Sequence, residues 1–376
     1  MNLQGRNGRG MRALAVGAIA VSSALVLTAC GSDDNSAANG VNEKKAAKNI
    51  ECAGKGKLLA SGSSAQKNAM DVWIKNYMAA CKDVQLNYNP VGSGGGITQF
   101  TQGSTAFAGS DSALKPEEVA ASKKICKGGQ GINLPMVGGP VAVSYNLPGV
   151  DDLVLDAPTL AKIFDSKIKK WNDPAIKKLN PKADLPAKEI HPFHRSDESG
   201  TTANLGKYLG KAAPGDWKYP DEKAWPAKGG QGASGSSGVS AQVKQTEGAI
   251  SYVELSYATS NDLSTAKLDT GASEPVEVSP ENASKAIADA KVVGKGKDLA
   301  LDLNYATKAE GAYPLMLVTY EIACDKGNKP ESLDAVKSFL NYTASDFGQE
   351  VLVKEGYAPL PPEIAKKVRE TVPTLS

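Results

Sequence analysis

The sequence predicts an α/β fold divided into two lobes that a hinge connects. Short β-like runs alternate with helical patterns along the chain, which is typical of mainly parallel sheets covered by helices. About 325 residues follow a polar N-terminal segment, and that length suits two hydrophobic cores better than one. Two long apolar strands, residues 140–145 and 314–320, lie far apart in the chain and provide two candidate crossings between the lobes.

The N-terminal segment begins with the pattern of an export signal over residues 1 to 30. Arg6, Arg9 and Arg12 precede the apolar run 13–27, which is too short for a membrane-spanning helix. The run ends in Leu-Thr-Ala-Cys, which resembles a bacterial lipobox, so we expect Cys30 to be acylated and to become the first residue of the mature protein. The alternative is a plain secretory signal with an incidental cysteine at its end.

The segment after the signal, residues 31–50, is rich in Ser, Asn, Asp and Lys, and we expect a flexible tether that no core absorbs. Removing the three arginines of the signal from 43 basic residues leaves 40 against 41 acidic residues. The mature chain is therefore close to neutral. It also has no basic cluster interleaved with aromatics, which argues against nucleic-acid binding. If the protein binds an anion, a few neighbouring residues must provide the positive charge, because the chain as a whole provides none.

Strand and helix patterns then follow in a regular order. The periodicity predicts strands at 57–60 and 84–88, a helix at 66–80, a second helix after Gly96, and a strand at 189–193. The two long strands define the lobe boundaries.

Lobe I is predicted to comprise residues 51–139 and 315–376, and lobe II residues 140–314. Residues 140–145 follow a Gly-Gly pair and residues 314–320 follow Ala-Tyr, and we interpret both strands as crossings between the lobes.

Four cysteines follow Cys30, and all of them fall in lobe I. An even number in an exported chain favours two disulfides over free thiols, and the spacing is too wide for a metal site. Four cysteines allow three pairings. Disulfides that cross-link residues within one lobe do not restrict movement at the hinge. From this lobe layout we prefer the pairs Cys52–Cys81 and Cys126–Cys324.

The loop from Arg195 to Thr202, Arg-Ser-Asp-Glu-Ser-Gly-Thr-Thr, is the strongest candidate for a binding site. It follows a strand and opens a helix, so free backbone N–H groups and the positive end of the helix dipole converge there. Ser199 and Thr201 add hydroxyl groups, and Gly200 permits close backbone approach. Arg195 offers a planar fork of donors that suits an oxyanion. Ordinary helix capping is the alternative.

Arginine usage supports an oxyanion site. Outside the signal the chain has two arginines, Arg195 and Arg369, although lysine is abundant. Lysine cannot donate two parallel hydrogen bonds to one ligand, so an arginine beside a Ser-Gly-Thr turn indicates that the turn binds an oxyanion with such a pair of bonds. Arg369 lies in a charged run that is typical of solvated surface.

Two further turns, residues 60–65 and 91–96, have a similar composition. Each follows a strand and opens a helix, and each offers serine hydroxyls and free amides. Such loops converge on the ligand crevice of open α/β sheets, although each turn alone has capping as its alternative role. A Gly/Ser tract at 229–238 lacks the flanking features of a nucleotide P-loop. We expect it to be a mobile loop that leads into a helix near Ser240.

These turns and several other segments resemble the phosphate-binding lipoproteins of bacterial high-affinity phosphate ABC importers. The resemblance covers nearly all of the mature sequence. It rests on the Arg-x-Asp-x-Ser-Gly-Thr loop, on the pair Ser110 and Asp111, and on the distinctive segments 165–173, 179–181 and 248–254. It implies a two-lobed periplasmic-binding-protein-like fold, with a hinge and a central ligand cleft that closes on one dehydrated phosphate.

The resemblance also implies a set of phosphate ligands. The set combines hydroxyls, backbone amides, one carboxylate and one guanidinium: Ser64, Ala65, Ser93, Asp111, Arg195, Ser199, Gly200 and Thr201. Asp197 is implied to orient Arg195 through an ion pair. The first turn departs from the family, because Ser64-Ala65-Gln66 stands where Thr-Phe-Pro is common, so the hydroxyl and the amide are kept but an aromatic cover is lost.

A carboxylate at position 111 would select between anions by their protonation. A carboxylate that faces an anion repels it unless the anion carries a proton to donate, and phosphate near neutral pH carries one while sulfate does not. We therefore expect Asp111 to reject sulfate. The alternative role is a cap of a helix or turn near residues 113–116.

We expect an extracytoplasmic lipoprotein that captures inorganic phosphate, delivers it to an ABC-transporter permease and performs no catalysis. We expect no cofactor, no metal and no nucleic-acid partner, a monomer, and a lipid anchor on the outer face of the cytoplasmic membrane. The alternatives are an exported phosphatase and a binding protein for another tetrahedral oxyanion. Against an enzyme, the chain has only two histidines, His191 and His194, and no identifiable general base for Ser199.

Overall fold

The structure of the protein, a computed structural model, describes residues 45–376. The predicted signal, its Cys30 and most of the predicted tether lie outside the described residues. The end of the tether prediction is wrong, because residues 45–49 are helical. Ala46 and Ile50 are 0% and 6% exposed and pack in a core cluster with Trp73. Two apolar side chains four positions apart share one helix face, which is enough to attach this segment to the core.

Strands and helices alternate through most of the described chain. The strands are β1 Gly56–Gly62, β2 Val84–Asn89, β3 Phe107–Ser110, β4 Gly131–Tyr145, β5 Val154–Asp156, β6 His191–Arg195, β7 Gln231–Ala233, β8 Ala249–Glu254, β9 Ser264–Thr265, β10 Lys267–Asp269, β11 Lys291–Val292, β12 Leu301–Asp302 and β13 Met316–Cys324. The helices are α1 Lys67–Ala80, α2 Ser93–Thr101, α3 Pro116–Ser122, α4 Ala157–Phe164, α5 Pro174–Leu179, α6 Gly200–Ala212, α7 Gly235–Gln245, α8 Leu255–Ser260, α9 Pro280–Ile287, α10 Pro330–Thr343, α11 Asp346–Glu350 and α12 Pro362–Thr371, with single 3-10 turns at Val353–Glu355 and Val372–Thr374. The predicted α1, β1 and β2 are confirmed to within a few residues at their ends.

Among the described residues, the central sheet has nine strands in the order β2-β1-β3-β13-β4-β8-β6-β7, with β9 also paired to β4. β1 is parallel to β2 and β3, and β6 is parallel to β7 and β8. β4 is antiparallel to β13 and β8, and β13 is antiparallel to β3. The sheet is therefore mixed rather than mainly parallel, because the chain leaves one half of it along β4 and returns along β13 in the opposite direction.

Strand β4 belongs to both halves of the sheet. Its residues from Gly131 to Pro140 pair with β13, and its residues from Val141 to Tyr145 pair with β8. The strand thus starts at Gly131 and not at the predicted Pro140. Gly139 lies within the strand, where a Cβ would come 2.7 Å from a methyl carbon of Leu317 on β13.

Hydrophobic packing also divides at β4. One cluster includes Phe164, Trp171 and Tyr252, which α4, the loop after it and β8 contribute. Another includes Trp73 and Phe107, together with side chains of α10. The fold therefore has two lobes. The boundaries after residues 139 and 314 stay predictions, and the change of strand partner after Pro140 supports the first of them.

Two disulfides staple lobe I. Cys52 is bonded to Cys81 and Cys126 to Cys324, with Cα–Cα distances of 5.4 and 5.3 Å. This is the pairing that the sequence analysis preferred. The first bond ties the chain before β1 to the end of α1, and the second ties the loop after α3 to the end of β13. Neither bond links lobe I to lobe II.

Candidate anion-binding site

Three loops of lobe I meet at one edge of the sheet. β1 is followed by Ser63 and Ser64, β2 by Ser93, and β3 by Asp111. Because these strands are parallel, their carboxyl ends lie at the same edge. All four side chains are at most 4% exposed, so the loops form an interior surface.

The helix after β2 begins earlier than predicted. α2 starts at Ser93 and not after Gly96, so its first turn contains Gly94 and Gly96. A Cβ on Gly96 would overlap the Cα of Gly62, and a Cβ on Gly94 would overlap the side chain of Glu198. These glycines are needed for close approach within a helix and do not belong to the predicted turn 91–96.

Asp111 is the centre of the lobe I contribution. Ser63 Oγ donates to its two carboxylate oxygens at 2.5 and 2.6 Å, and Ser93 Oγ donates at 3.2 Å. Thr319 Oγ1 of β13 adds a donor at 3.3 Å. Burial raises the pKa of Asp111 to about 7 against the hydrogen bond from Ser63, and the charge of Glu254 adds to the rise. Asp111 therefore exchanges its proton near neutral pH.

A second buried acid, Glu321 of β13, is paired in the sheet with Gly109 of β3. It accepts a hydrogen bond from Gln66 Nε2, and its other oxygen has no partner among the described residues. Burial raises the pKa of Glu321 well above its ordinary value despite that hydrogen bond, and the charge of Asp111 adds to the rise. Burial therefore favours the protonated, uncharged form of Glu321 over the carboxylate.

Arg195 lies at the end of β6 and is 2% exposed. Its Nε donates to Asp197 Oδ1 at 2.7 Å and its Nη2 donates to Asp197 Oδ2, so the fork is held by two bonds. Nη1 donates to Ser236 Oγ at 3.2 Å. Burial disfavours both charges, but the ion pair outweighs it, raising the pKa of Arg195 and lowering the pKa of Asp197. The guanidinium is thus permanently charged and fixed in orientation.

The N-terminus of α6 lies five residues after Arg195 and contacts lobe I. α6 begins at Gly200, and Ser199 Oγ accepts the N–H of Thr202 at 3.3 Å. Thr201 Oγ1 donates to Glu254 Oε1 at 2.6 Å. Ser199 therefore does act as a helix cap, the alternative role of this turn, but the cap involves neither Arg195 nor the backbone N–H of Gly200.

The two lobes touch each other at the site. The N–H of Gly200 donates to Ser93 Oγ at 3.1 Å, and the hydroxyls of Ser64 and Ser236 share a hydrogen bond of 3.0 Å. A Cβ on Gly200 would lie 2.6 Å from the Cβ of Asp111, so only glycine permits this approach. Hydroxyls, a guanidinium and a titratable acid therefore meet in one buried hydrogen-bonded network between the lobes.

Comparison with known proteins identifies the family. A model described as a PBP superfamily domain matches residues 47–346. Phosphate-binding protein PstS 3 of Mycobacterium tuberculosis (strain ATCC 25618 / H37Rv) is 44% identical over 361 residues, which cover 95% of this chain and 97% of that protein. The chain belongs to the PstS family.

A second PstS relative and a solved structure support this family assignment and the fold. Phosphate-binding protein PstS 3 of Mycobacterium leprae (strain TN) is 43% identical over 350 residues, 92% of this chain and 94% of that protein. Among solved structures, a phosphate binding protein from Stenotrophomonas maltophilia has a TM-score of 0.65 at 18% identity and covers 84% of this chain and 93% of that chain. That likeness shows the fold, which is the two-lobed periplasmic-binding-protein-like fold that the sequence predicted.

In this PstS-family chain, hydrogen bonds bring Gly200 to Ser93 and Asp111, and connect Arg195 to Ser64 through Ser236, while Ser199 and Thr201 lie beside Gly200 at the start of α6. Ala65 completes the first turn and is fully buried. Cys30 lies outside the described residues.

The sequence prediction does not include four residues that bond members of the site: Ser63, Ser236, Glu254 and Thr319. Ser236 lies in the Gly/Ser tract that was predicted to be a mobile loop leading to a helix near Ser240. That prediction is wrong, because β7 and α7 occupy the tract and α7 begins at Gly235. The N–H of Ser236 donates to Ser64 Oγ at 3.0 Å. A short strand followed by Gly-Ser is the same signal that identified the other turns, but β7 has only three residues.

Both histidines lie on β6. His194 stacks on Trp225 with ring centroids 4.7 Å apart, and burial lowers its pKa. Its Nδ1 lies 3.0 Å from the carbonyl oxygen of Arg195, the next residue of the same strand. Residues 45–376 contain no group of three or more His, Cys, Asp or Glu side chains placed to hold a metal ion. In the same range no helix has the length and apolar character needed to cross a membrane.

Proposed function

We propose that this protein binds inorganic phosphate between its lobes and delivers it to the permease of an ABC importer. One observation carries the proposal: a guanidinium fixed by Asp197 and the buried carboxyl group of Asp111 lie in one network of hydroxyl and amide donors that joins the two lobes. A fixed cation with many donors binds an oxyanion. A proton acceptor beside it favours an oxyanion that still carries a proton.

The proposed ligands come from both lobes. They are the hydroxyls, amides and charged groups that the family resemblance implies: Ser64, Ala65, Ser93, Asp111, Arg195, Ser199, Gly200 and Thr201. We add Ser236, because its hydroxyl already bonds both Arg195 Nη1 and the hydroxyl of Ser64. Lobe closure would bring these groups onto the anion from opposite sides.

We further propose that the protein acts without catalysis, as a monomer, on the outer face of the cytoplasmic membrane with a lipid on Cys30. The names of the relatives, phosphate-binding proteins, support a binding role. The hydroxyl of Ser199 accepts a backbone N–H of its own helix, which is the arrangement of a cap and not of a nucleophile paired with a base.

Titration calorimetry on the mature protein tests the proposed ligand. Phosphate and arsenate should each bind at one site per chain, because both are protonated tetrahedral oxyanions near neutral pH, whereas sulfate should give no binding heat. The same preparation should not hydrolyse a phosphate ester. Steady ester hydrolysis, or sulfate bound as tightly as phosphate, would contradict the proposal. Phosphate uptake by cells that lack the protein, with and without restored expression, tests delivery.

A further inference from the structure

Two ion pairs outside the anion site connect α3 of lobe I to the loop after α6 of lobe II. Lys223 Nζ pairs with Glu118 Oε1, and Lys115 Nζ pairs with Glu222 Oε2. Their polarities are opposite, since lobe II supplies the cation of the first pair and the anion of the second. Each pair therefore exists only while the two lobes are in contact.

The two pairs differ in burial. The Lys223 side chain is 5% exposed and that of Glu118 is 19% exposed. Lys115 and Glu222 are 32% and 49% exposed, as in an ordinary surface pair. A lysine as buried as Lys223 needs a counter-charge, and Glu118 supplies it from the other lobe.

Backbone hydrogen bonds tie the buried pair to the site. The carbonyl oxygen of Lys223 accepts the N–H of Ser199 at 3.0 Å, directly before the helix that faces the anion-binding space. On the other side, Glu118 Oε2 accepts the N–H of Lys115 at 2.8 Å, which fixes the acid on the first turn of α3. The pair thus connects the N-terminus of α6 to a fixed point on lobe I.

We propose that Lys223 and Glu118 are positioning residues that hold the lobes closed over bound phosphate and thereby set its rate of release. This inference rests on the proposed phosphate-binding function. In the open form both charges return to water, whereas in the closed form each compensates the other. Removal of one charge leaves the other buried without a partner, so the closed form alone is destabilised.

Release of phosphate is the measurement that tests this role. The mature protein is loaded with radiolabelled inorganic phosphate and chased with unlabelled phosphate, as parent, Glu118→Gln, Lys223→Met and the double variant. Each single variant should release phosphate at least about tenfold faster, since loss of one partner of a buried charge pair acts mainly on dissociation. The double variant should release it more slowly than either single variant, because no unpaired charge stays buried.

Two further variants serve as controls. Lys267→Met removes a lysine whose pair with Asp152 lies within lobe II and should leave release unchanged. Lys115→Met breaks the more exposed cross-lobe pair and should accelerate release by no more than about threefold. Should Glu118→Gln fail to fold after losing the cap of α3, Lys223→Met decides alone.

Parental release rates in the folded single variants would overturn the inference, as would effects confined to the melting temperature of the ligand-free protein. A parent that binds no phosphate at all would instead overturn the proposed function. The two failures are therefore distinguishable in one set of measurements.

Discussion

The two lobes bring different chemistry to the same space. Lobe II contributes Arg195, whose charge is permanent because Asp197 compensates it within two positions of the chain. Lobe I contributes hydroxyls around Asp111, a carboxyl group whose burial raises its pKa to about 7, and Glu321, a second buried acid whose pKa is also raised. The difference indicates that affinity and selectivity have separate sources. Permanent donors attract any oxyanion, whereas a titratable acceptor distinguishes anions by whether they carry a proton.

The comparison extends to the way each lobe tolerates buried charge. Arg195 and Asp197 form an ion pair, whereas Asp111 and Glu321 belong to no ion pair among residues 45–376. A paired group keeps its charge on burial, and an unpaired acid takes up a proton instead. The Arg195–Asp197 pair of lobe II and the unpaired acids Asp111 and Glu321 of lobe I should therefore respond in opposite ways to pH.

The largest expected effect is on stability. The pKa of Asp111 rises from its ordinary value of 3.8 to about 7, so the folded chain binds this proton more tightly than the unfolded chain. The resulting stabilisation is fully present below pH 4 and is lost as the pH rises through 7. It amounts to about 4 kcal/mol at 1.36 kcal/mol per pH unit, and Glu321 acts in the same direction.

Urea unfolding of the ligand-free protein between pH 4.5 and 8 measures this slope. Asp111→Asn should reduce the dependence of the free energy of unfolding on pH. Glu321→Gln should reduce the pH dependence that Asp111→Asn leaves. For Asp197, whose pKa is lowered, the sign is opposite: its stabilisation is present above pH 4 and is lost only as the pH falls further. A parent whose stability does not change between pH 4.5 and 8 would contradict the account of lobe I.

The next effect is on phosphate affinity through lobe II. Arg195→Lys replaces a planar fork by a point charge, so phosphate binding should weaken by at least about 1.4 kcal/mol, or tenfold. Arg369→Lys is the matched control, because Arg369 lies on lobe I and donates to the carbonyl oxygen of Ala344, far along the chain from the site. If calorimetry gives both variants the parental affinity for phosphate, Arg195 is not a phosphate ligand.

A more selective effect is expected for Asp111→Asn. The amide carries no negative charge and has donors of its own, so a fully deprotonated anion no longer meets an unpaired acceptor. Phosphate affinity should fall only modestly, while sulfate should become a measurable competitor at the same pH and salt concentration. Sulfate exclusion as strict as in the parent would place discrimination in other groups and leave Asp111 with a structural role.

The smallest effect is expected for Ser236→Ala. It removes one hydroxyl that bonds Arg195 and Ser64, so phosphate binding should weaken by about 1 kcal/mol, or roughly fivefold. Ser240→Ala in the same helix is the control, because its hydroxyl donates to the carbonyl oxygen of Ser237. Equal affinities of the two variants would show that Ser236 only packs beside the site.

The sequence by itself determined the features that depend on near neighbours or on composition. The loop from Arg195 to Thr202 carries its donors within eight consecutive residues, and the Asp197 partner of Arg195 is two positions away. The alternation of α1 with β1 and β2 follows from periodicity. The cysteine pairing was preferred because all four fall in one lobe, a reason of layout and not of geometry.

Tertiary structure decided the features that need a distant partner. Ser236 joins the site through Ser64, 172 positions away, and Glu321 meets Gln66 across 255 positions. The early starts of α2 and β4 also became visible only in the packed chain, in which Gly96 lies in a helix against the backbone of Gly62 and Gly139 lies in a strand against the side chain of Leu317. A glycine needed for close approach and a glycine needed for a turn are identical in the sequence, since both lack a Cβ, and only the packed chain distinguishes them.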